Sequence, residues 1–437
     1  MNFRSIKPLV LLCFAIANYQ PACADIKLKS KKFDATYWVG ATTDDGDTSL
    51  SRLTLRQEAK FKIGRNWRMN VAARLEIADD DTGLGTTETF SGLSKPIIRT
   101  DEFRLEIDRA YLSYRSNGTR LTLGKHSIAW GVLDGIQITD QFSPVRRRDF
   151  VFSATRPERI SRWGLKAEKS IGDWRLEGAA AFDPTVNQLP NPGDAFFPLS
   201  PRFRAGLPTQ ISPTSLSVQS RNDYLQDATI GLRVSKEFNN SQLSLIGIQG
   251  PEFSPIFAPD PASPGGVLLE YPTRRLLGLT YDTSQGPFVL RFETAVIPDH
   301  PLNVRPEQGL TFKSDDTIRW LTGIGVDWQA PGDVFINAQL AVDHVDSLEQ
   351  NIFRPKTDTI YTVKFRRTFR NDRLVLNGEV LGSAEAGDGT ISMDLNYEIN
   401  EHLSASIGGN FVFGQERGTF GQFEDQSRLW LRMKLSI

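Results

Sequence analysis

The most restrictive feature of this sequence is an alternation in the length of its connections. Short turns stand at GRN (64–66), SNG (116–118), IGD (171–173), NN (239–240), SQG (284–286), APGD (330–333), RND (371–373) and NE (400–401). Between them fall mostly longer breaks, at 79–102, 131–157, 184–225, 250–271, 298–316, 345–356 and 414–425, with two shorter ones at 43–49 and 385–389. The stretches joined in this way alternate apolar and polar residues. Leu53, Leu55, Ala59, Phe61 and Ile63 interleave with Arg52, Thr54, Arg56, Glu58, Lys60 and Lys62. The closing RLWLRMKLSI sets Leu429, Leu431, Met433, Leu435 and Ile437 against Arg428, Trp430, Arg432, Lys434 and Ser436. Successive side chains of a strand point to opposite faces, so each stretch is a strand with one apolar face and one polar, charged face. Helical periodicity appears nowhere at comparable length.

Something must cover the apolar faces. In 437 residues there is no linker, composition break or charge block that would divide the chain into soluble domains, each with its own core. Only 39% of residues are hydrophobic, mean hydropathy is −0.31, and no stretch near 18 consecutive apolar residues follows the first 24, so no transmembrane helix is expected. Lipid is the remaining cover. Strands with short turns on one rim and long loops on the other have the pattern of an all-β, transmembrane antiparallel up-and-down barrel, with short periplasmic turns and long extracellular loops. The connections give about 18 strands. Sixteen is the alternative, because the segment 103–115 changes phase from Phe103, Leu105 and Ile107 to Ala110, Leu112 and Tyr114. RLWLRMKLSI is expected to pair back to the first strand near FDATYWVGA, removing the sheet edge.

The first 24 residues form a signal peptide by pattern. Arg4 and Lys7 precede the apolar run PLVLLCFAIA, and Ala22-Cys23-Ala24 is an A-x-A cleavage site. The barrel is then expected over 25–437. Both cysteines, Cys13 and Cys23, lie in the removed segment, which leaves no thiol chemistry and no disulfide framework. A formal net charge of −1 indicates no polyanion-binding tail.

If the apolar face meets lipid, the other lines a lumen. Parity then points Arg52, Arg56, Arg68, Arg74, Arg109, Arg120, Arg175, Arg291, Lys364 and Arg366 inward, with acids such as Glu58, Glu76, Glu177 and Glu293 among them. Charge on this scale cannot be buried dry, so the lumen is expected to be wet. Two readings of these residues stand side by side: reciprocal ion pairing that stiffens the wall, and an arginine excess that tilts the field toward anions. Alternation ends near Trp130-Gly131, and the loop 131–157 carries Arg146, Arg147 and Arg148. Folded inward, it would put those arginines at the narrowest point of the pore; otherwise it is an exposed basic loop. The long extracellular loop 184–225 contains PNPGDAFFPLSPRF, whose aromatics could insert as a plug or touch a ligand.

The segments "AYLSY … LTLGKHSIAWG" and "DGIQITDQFSPVRRRDF" resemble proteobacterial outer-membrane porin-like families, including alginate-export barrels. Their hallmark is a strand ending in Leu-x-x-Gly-Arg-Gln, a Trp-Gly pair, then an Asp/Asn-x-x-Pro loop with an Arg-Asp. Gly124, Trp130, Gly131, Pro144, Arg148 and Asp149 match that pattern, whereas Lys125 and His126 replace the Arg-Gln. The motif covers about 30 residues and implies an outer-membrane location and a porin-like architecture, without naming a solute.

Chemistry has little support. None of His126, His300, His344 and His402 sits in a recognisable motif with a serine or acid; His344 is flanked by Asp343 and Asp346, and loop-end polarity explains these equally well. No zinc spacing, other metal set or cofactor motif is present. The acidic runs Asp44-Asp45-Gly46-Asp47 and Asp79-Asp80-Asp81 suit a divalent cation bridging lipopolysaccharide, or simply solvent. Nucleic-acid binding is not indicated. The expected partners are outer-membrane lipid and lipopolysaccharide, a small hydrophilic solute, and the barrel-assembly machinery through the C-terminal strand; the oligomeric state stays open. The expected function is a porin, passive and without catalysis, for small hydrophilic solutes with anions favoured. The alternatives are an exporter barrel with periplasmic partners and a barrel enzyme such as a protease or lipase.

Overall fold

The computed structural model describes residues 26–437 apart from 81–82, 150–151, 153–157, 199, 201–215, 222, 264–265, 305–312, 348–351 and 417. The signal-peptide expectation, Asp81 and most of PLSPRF therefore lie outside the described residues. Eighteen long strands form one sheet. They are β1 (Ile26–Thr42), β2 (Thr48–Ile63), β3 (Trp67–Ala78), β4 (Phe103–Ser116), β5 (Thr119–His126), β6 (Arg162–Ile171), β7 (Trp174–Ala181), β8 (Thr229–Glu237) and β9 (Ser241–Pro251). The second half comprises β10 (Thr273–Gln285), β11 (Phe288–Val304), β12 (Lys313–Ala330), β13 (Val334–Asp346), β14 (Thr357–Phe369), β15 (Leu374–Ser383), β16 (Asp388–Glu398), β17 (Leu403–Phe413) and β18 (Arg428–Ser436). Each pairs antiparallel with its neighbours in sequence, and β1 pairs with β18 from Asp34↔Ser436 to Thr42↔Arg428. This closure satisfies the backbone groups that an open edge would leave bare in lipid.

The faces sort as the alternation requires. Leu123, Leu277 and Leu431 are 62%, 62% and 53% exposed on the outside, whereas Arg52, Glu76, Glu177 and Asn337 are buried on the inside. At the short-turn end, Trp67, Trp174, Phe288, Trp328 and Tyr397 are exposed aromatics, placed where an interfacial girdle sits. The short turns use residues that tolerate positive φ, as at Asn117 (46°) and Gly118 (69°) between β4 and β5.

The phase change in 103–115 has a local cause. The β3–β4 ladder runs Ala72↔Arg109 and then Ala73↔Ile107, leaving Asp108 as the extra residue of a bulge. One inserted residue swaps every later side chain to the other face. Phe103, Leu105 and Ile107 therefore share the outer face with Ala110, Leu112 and Tyr114, and the strand count stays at eighteen.

Above the long-loop rim, three short segments, Leu216–Val218, Ile256–Pro259 and Val267–Glu270, form a small second sheet. Val186, Phe253, Leu269 and Tyr271 bury against one another beside it.

Candidate channel lining and lumenal loop

β5 ends early, and Gly124 shows why. Its φ of +124° suits glycine, and a Cβ there would collide with the carbonyl oxygen of Ala110. The kink turns Lys125, which the ladder sets opposite outward-facing Ala110, into a buried position. His126 Nδ1 lies 3.0 Å from the Gly124 carbonyl oxygen and its ring meets the edge of Tyr111. The chain then leaves the wall, and residues 127–149 and 158–161 fold against the lumenal side.

Trp130, fully buried, packs with Phe142, Leu133 and Ile138 onto the inward residues Ile246, Ile248, Leu276 and Leu321 of β9, β10 and β12. Glycines in the wall make room: a Cβ on Gly231 would lie 2.6 Å from the Trp130 ring, and one on Gly323 2.7 Å from Ile138 and Leu133. Gly131 is equally tight, 2.9 Å from Asp140 and 3.0 Å from Glu293. Such apolar patches on an inner wall are what parity reading alone does not supply.

Polar clasps fix the same loop. Glu293 of β11, fully buried, accepts the backbone N–H groups of Val132, Leu133 (2.6 Å) and Thr139 (3.0 Å), and the Thr139 hydroxyl (2.8 Å). Asp134 receives Lys364 Nζ at 2.8 Å, and its backbone N–H and C=O pair with the Gln339 side chain at 2.8 and 2.9 Å. Pro144–Arg147 runs antiparallel to 158–160 and alongside Gln188, through Ile160 N–H to Pro144 O (2.7 Å) and Arg147 N–H to Gln188 O (2.7 Å).

The three consecutive arginines do not act alike. Arg146 donates to Glu106 and Glu158 and is buried. Arg148 donates to Glu76, which also accepts from Arg104 and, at 3.0 Å, from Arg74. Asp149 faces Arg52 at 3.6 Å. Burial works against its ionisation, but Arg52 and Arg148 outweigh that and hold its carboxyl below the ordinary value. Arg147 alone has no carboxylate partner among the described residues; it donates to Gln137 Oε1 at 2.8 Å and is only half-buried. The expectation of three arginines with free charge is corrected for Arg146 and Arg148, whose charges are taken up by Glu106 and Glu76.

The ten wall residues expected to face inward all stand on the lumenal register, opposite the exposed apolar face. Arg52 pairs with Asp80, Arg56 with Asp108 and Glu58, Arg74 with Glu76 and Glu158, Arg175 with Glu168 and Glu177, Arg291 with Asp327, and Lys364 with Asp134. Arg109 and Arg120 sit at 3.8 and 3.9 Å from Asp108 and Glu168. Arg68 and Arg366 are exposed with no acidic partner among the described residues.

The charges are unevenly spread around the barrel. On β18 and β1 to β5 the register turns inward Arg428, Arg432, Lys434, Lys27, Lys32, Arg52, Arg56, Lys60, Lys62, Arg68, Arg74, Arg104, Arg109, Arg115 and Arg120. Against them stand only Asp34, Glu58, Glu76, Glu106 and the bulged Asp108. Around β6 to β17 acids slightly outnumber bases, with Glu168, Glu177, Glu237, Asp282, Glu293, Asp327, Asp343, Asp358, Glu379, Asp388 and Asp394 facing inward. One third of the wall carries the surplus of positive charge.

The other candidates resolve simply. His344 lies on the outer register opposite Trp320 and bonds Thr357 at 2.8 Å, while Asp343 faces inward to Arg319 and Arg354, so no Asp-His pair forms between them. Asp80 binds Arg52 and the Gly83 N–H. Asp45 accepts from Thr42 and the Asp47 N–H. Among the described residues no group of three metal-ligating side chains occurs. Phe196 of the 184–225 loop is buried with Phe152, Phe420, Phe423, Leu381 and Val412.

A closed eighteen-stranded antiparallel barrel with an apolar exterior, a charged interior and a loop folded onto its inner wall has the fold of outer-membrane barrels of the porin type. Residues 39–437 match the family described as a protein of unknown function, DUF1302, and the chain belongs to that family. The sequence has no match among curated proteins. Among solved structures it is similar to a BenF-like porin from Pseudomonas fluorescens Pf-5, at 13% identity and TM-score 0.51, over 95% of this chain and 99% of that one. Acinetobacter baumannii OccAB1 matches at 9% identity and TM-score 0.52, over 96% and 98%. Pseudomonas aeruginosa OccK2 (OpdF), solved in complex with glucuronate, matches at 11% identity and TM-score 0.51, over 96% and 99%. At these identities the likeness is one of fold.

Proposed function

We propose that this barrel is an outer-membrane channel through which small hydrophilic anions diffuse passively, with Arg147 on the lumenal loop as the charge that biases selection. The observation that supports this reading is the excess of inward cations over inward acids on β18 and β1 to β5, together with a loop in which Arg147 is the arginine without an acidic partner among the described residues. Ion pairing accounts for most of the arginines elsewhere and fixes the wall; the surplus on this arc sets the sign of the field an ion meets inside. A porin-type fold and a neighbour solved with a sugar acid agree with an anionic solute.

Single-channel current in a planar bilayer under a salt gradient tests the proposal. Discrete steps with an anion-selective reversal potential are expected, and Arg147→Ala should move that potential toward zero while Arg146→Ala, whose charge is already paired, mainly destabilises the loop. Cation selectivity, or silence from protein shown to be folded and inserted, would refute it and leave a partner-dependent exporter as the better reading.

A further inference from the structure

The first strand outruns the strand that closes the barrel on it. β1 runs for 17 residues and β18 for 9. β1 pairs with β2 from Ile26↔Ile63 to Ala41↔Thr48, but with β18 only from Asp34↔Ser436 onward, where Phe33 and Ile437 exchange backbone hydrogen bonds of 2.7 and 2.8 Å. Among the described residues no strand lies along the other edge of 26–32. Every second residue of a strand turns its N–H and C=O to the same side, so Lys31 presents both to this open edge as Phe33 does to Ile437. Residues 27–32 are exposed on both faces and stand at the short-turn rim, beside the turn 64–66. The edge is also strongly basic. Lys32 and Lys60 reach Asp34 (3.0 Å) and Glu58 (3.2 Å), but Lys27, Lys29, Lys31, Lys62, Arg65 and Arg68 have no acidic partner among the described residues. The register sets Lys27 opposite Lys62 and Lys62 opposite Arg68, so like charges stand side by side across three strands.

Like charges directly opposite one another destabilise a sheet, and an opposite charge laid beside them relieves the cost. Lysines on an open edge also keep similar edges apart, which makes a second copy of this chain a poor occupant. Anionic lipid headgroups would neutralise the lysines and leave the backbone row to water. An acidic strand answers both features at once. We infer that residues 26–32 are a docking edge for an extended acidic segment of a periplasmic protein, which adds to β1 as a strand at the mouth of the barrel. Its backbone pairs along the edge that Lys31 leaves open, and its carboxylates meet Lys27, Lys29 and Lys31. The inference rests on the sheet edge and its charge, and is independent of which ion permeates.

The test uses the detergent-solubilised full chain and a fluorescent peptide alternating glutamate and valine, with binding read by anisotropy and amide exchange read across 27–32. The peptide is expected to bind saturably and to slow exchange there about tenfold, whereas its lysine-for-glutamate counterpart should not bind. Its fully N-methylated form keeps every carboxylate and loses every backbone donor, and should bind about tenfold more weakly or worse. Combining Lys27→Glu, Lys29→Glu and Lys31→Glu, with folding checked by the heat-modifiable gel shift, should reverse the preference in favour of the lysine peptide. Equal affinity for the N-methylated form, or unaltered exchange across 27–32 with the peptide bound, overturns the inference, since charge alone then holds the peptide. A triple variant that still prefers the acidic peptide overturns it as well. Binding in nanodiscs of neutral lipid that disappears when phosphatidylglycerol is included gives the edge to lipid headgroups and overturns it too.

Discussion

Glu293→Gln is the substitution on which the account of the lumenal loop can be tried most directly. In the parent, one carboxylate oxygen accepts two backbone N–H groups, from Val132 and Leu133, and the other accepts the Thr139 N–H and hydroxyl. Glutamine keeps the shape but replaces one acceptor with an NH2 group. Its best placement turns the amide oxygen to Val132 and Leu133, which sets NH2 against the Thr139 N–H. One buried donor then loses its acceptor, at about 1–3 kcal/mol, and the remaining bonds lose the strength a charge lends them. Removing the cost of burying a carboxylate offsets part of this. The net is about 2–4 kcal/mol, spent on the loop and not on the barrel, because the β11 ladder to β10 and β12 is untouched. Hydrogen exchange is the assay: amides of 132–139 should exchange roughly 30- to 1000-fold faster, while 145–149, held by Glu106 and Glu76, should change little. Single-channel records should become noisier at unchanged selectivity sign. Unaltered exchange at 132–139 would refute the claim that Glu293 holds the loop.

Three further outcomes follow from the same geometry. Gly231→Val should force the Trp130 ring out of its site, since a single Cβ already comes within 2.6 Å; the expected readouts are tryptophan fluorescence shifted toward that of an exposed indole and a loss of about 1–3 kcal/mol in the denaturant midpoint. Gly124→Ala should impair refolding yield, measured by the heat-modifiable gel shift, because its Cβ meets the Ala110 carbonyl in a backbone conformation alanine avoids. Asp149 has its carboxyl pKa held below the ordinary value by Arg52 and Arg148, so its contribution to loop stability is complete above the unfolded value of about 4 and is lost as pH falls through the lower folded one. Protection factors at 146–149, with the intrinsic pH dependence of exchange divided out, should therefore be flat from pH 7 to about 4 and fall only in stronger acid.

The wall was legible because its physics is local. A lipid-facing strand must show apolar side chains at every second position, so Leu429, Leu431 and Met433 announce both their own face and, by exclusion, the lumenal side of Arg428, Trp430 and Arg432. Turn residues then set which rim is which, and the ten inward residues follow from parity alone. Even the break in parity at 103–115 was visible; the sequence shows that a residue is inserted, and the β3 register shows that it is Asp108.

The loop was legible only as an interruption, because the forces that hold it act between residues far apart in sequence. Glu293 looks like any other inward acid until Val132 and Leu133 arrive some 160 positions earlier in the chain, and Ile246, Ile248 and Leu276 look like breaches of lumenal polarity until Trp130 and Ile138 cover them. The same distance effect decides the arginines. Three in a row suggest a uniform basic patch, but Glu76 and Glu106, on neighbouring strands, neutralise Arg148 and Arg146 and leave Arg147. A run of like charge reaching into a folded wall is divided by the wall's own acids, which here take up Arg146 and Arg148 and not Arg147.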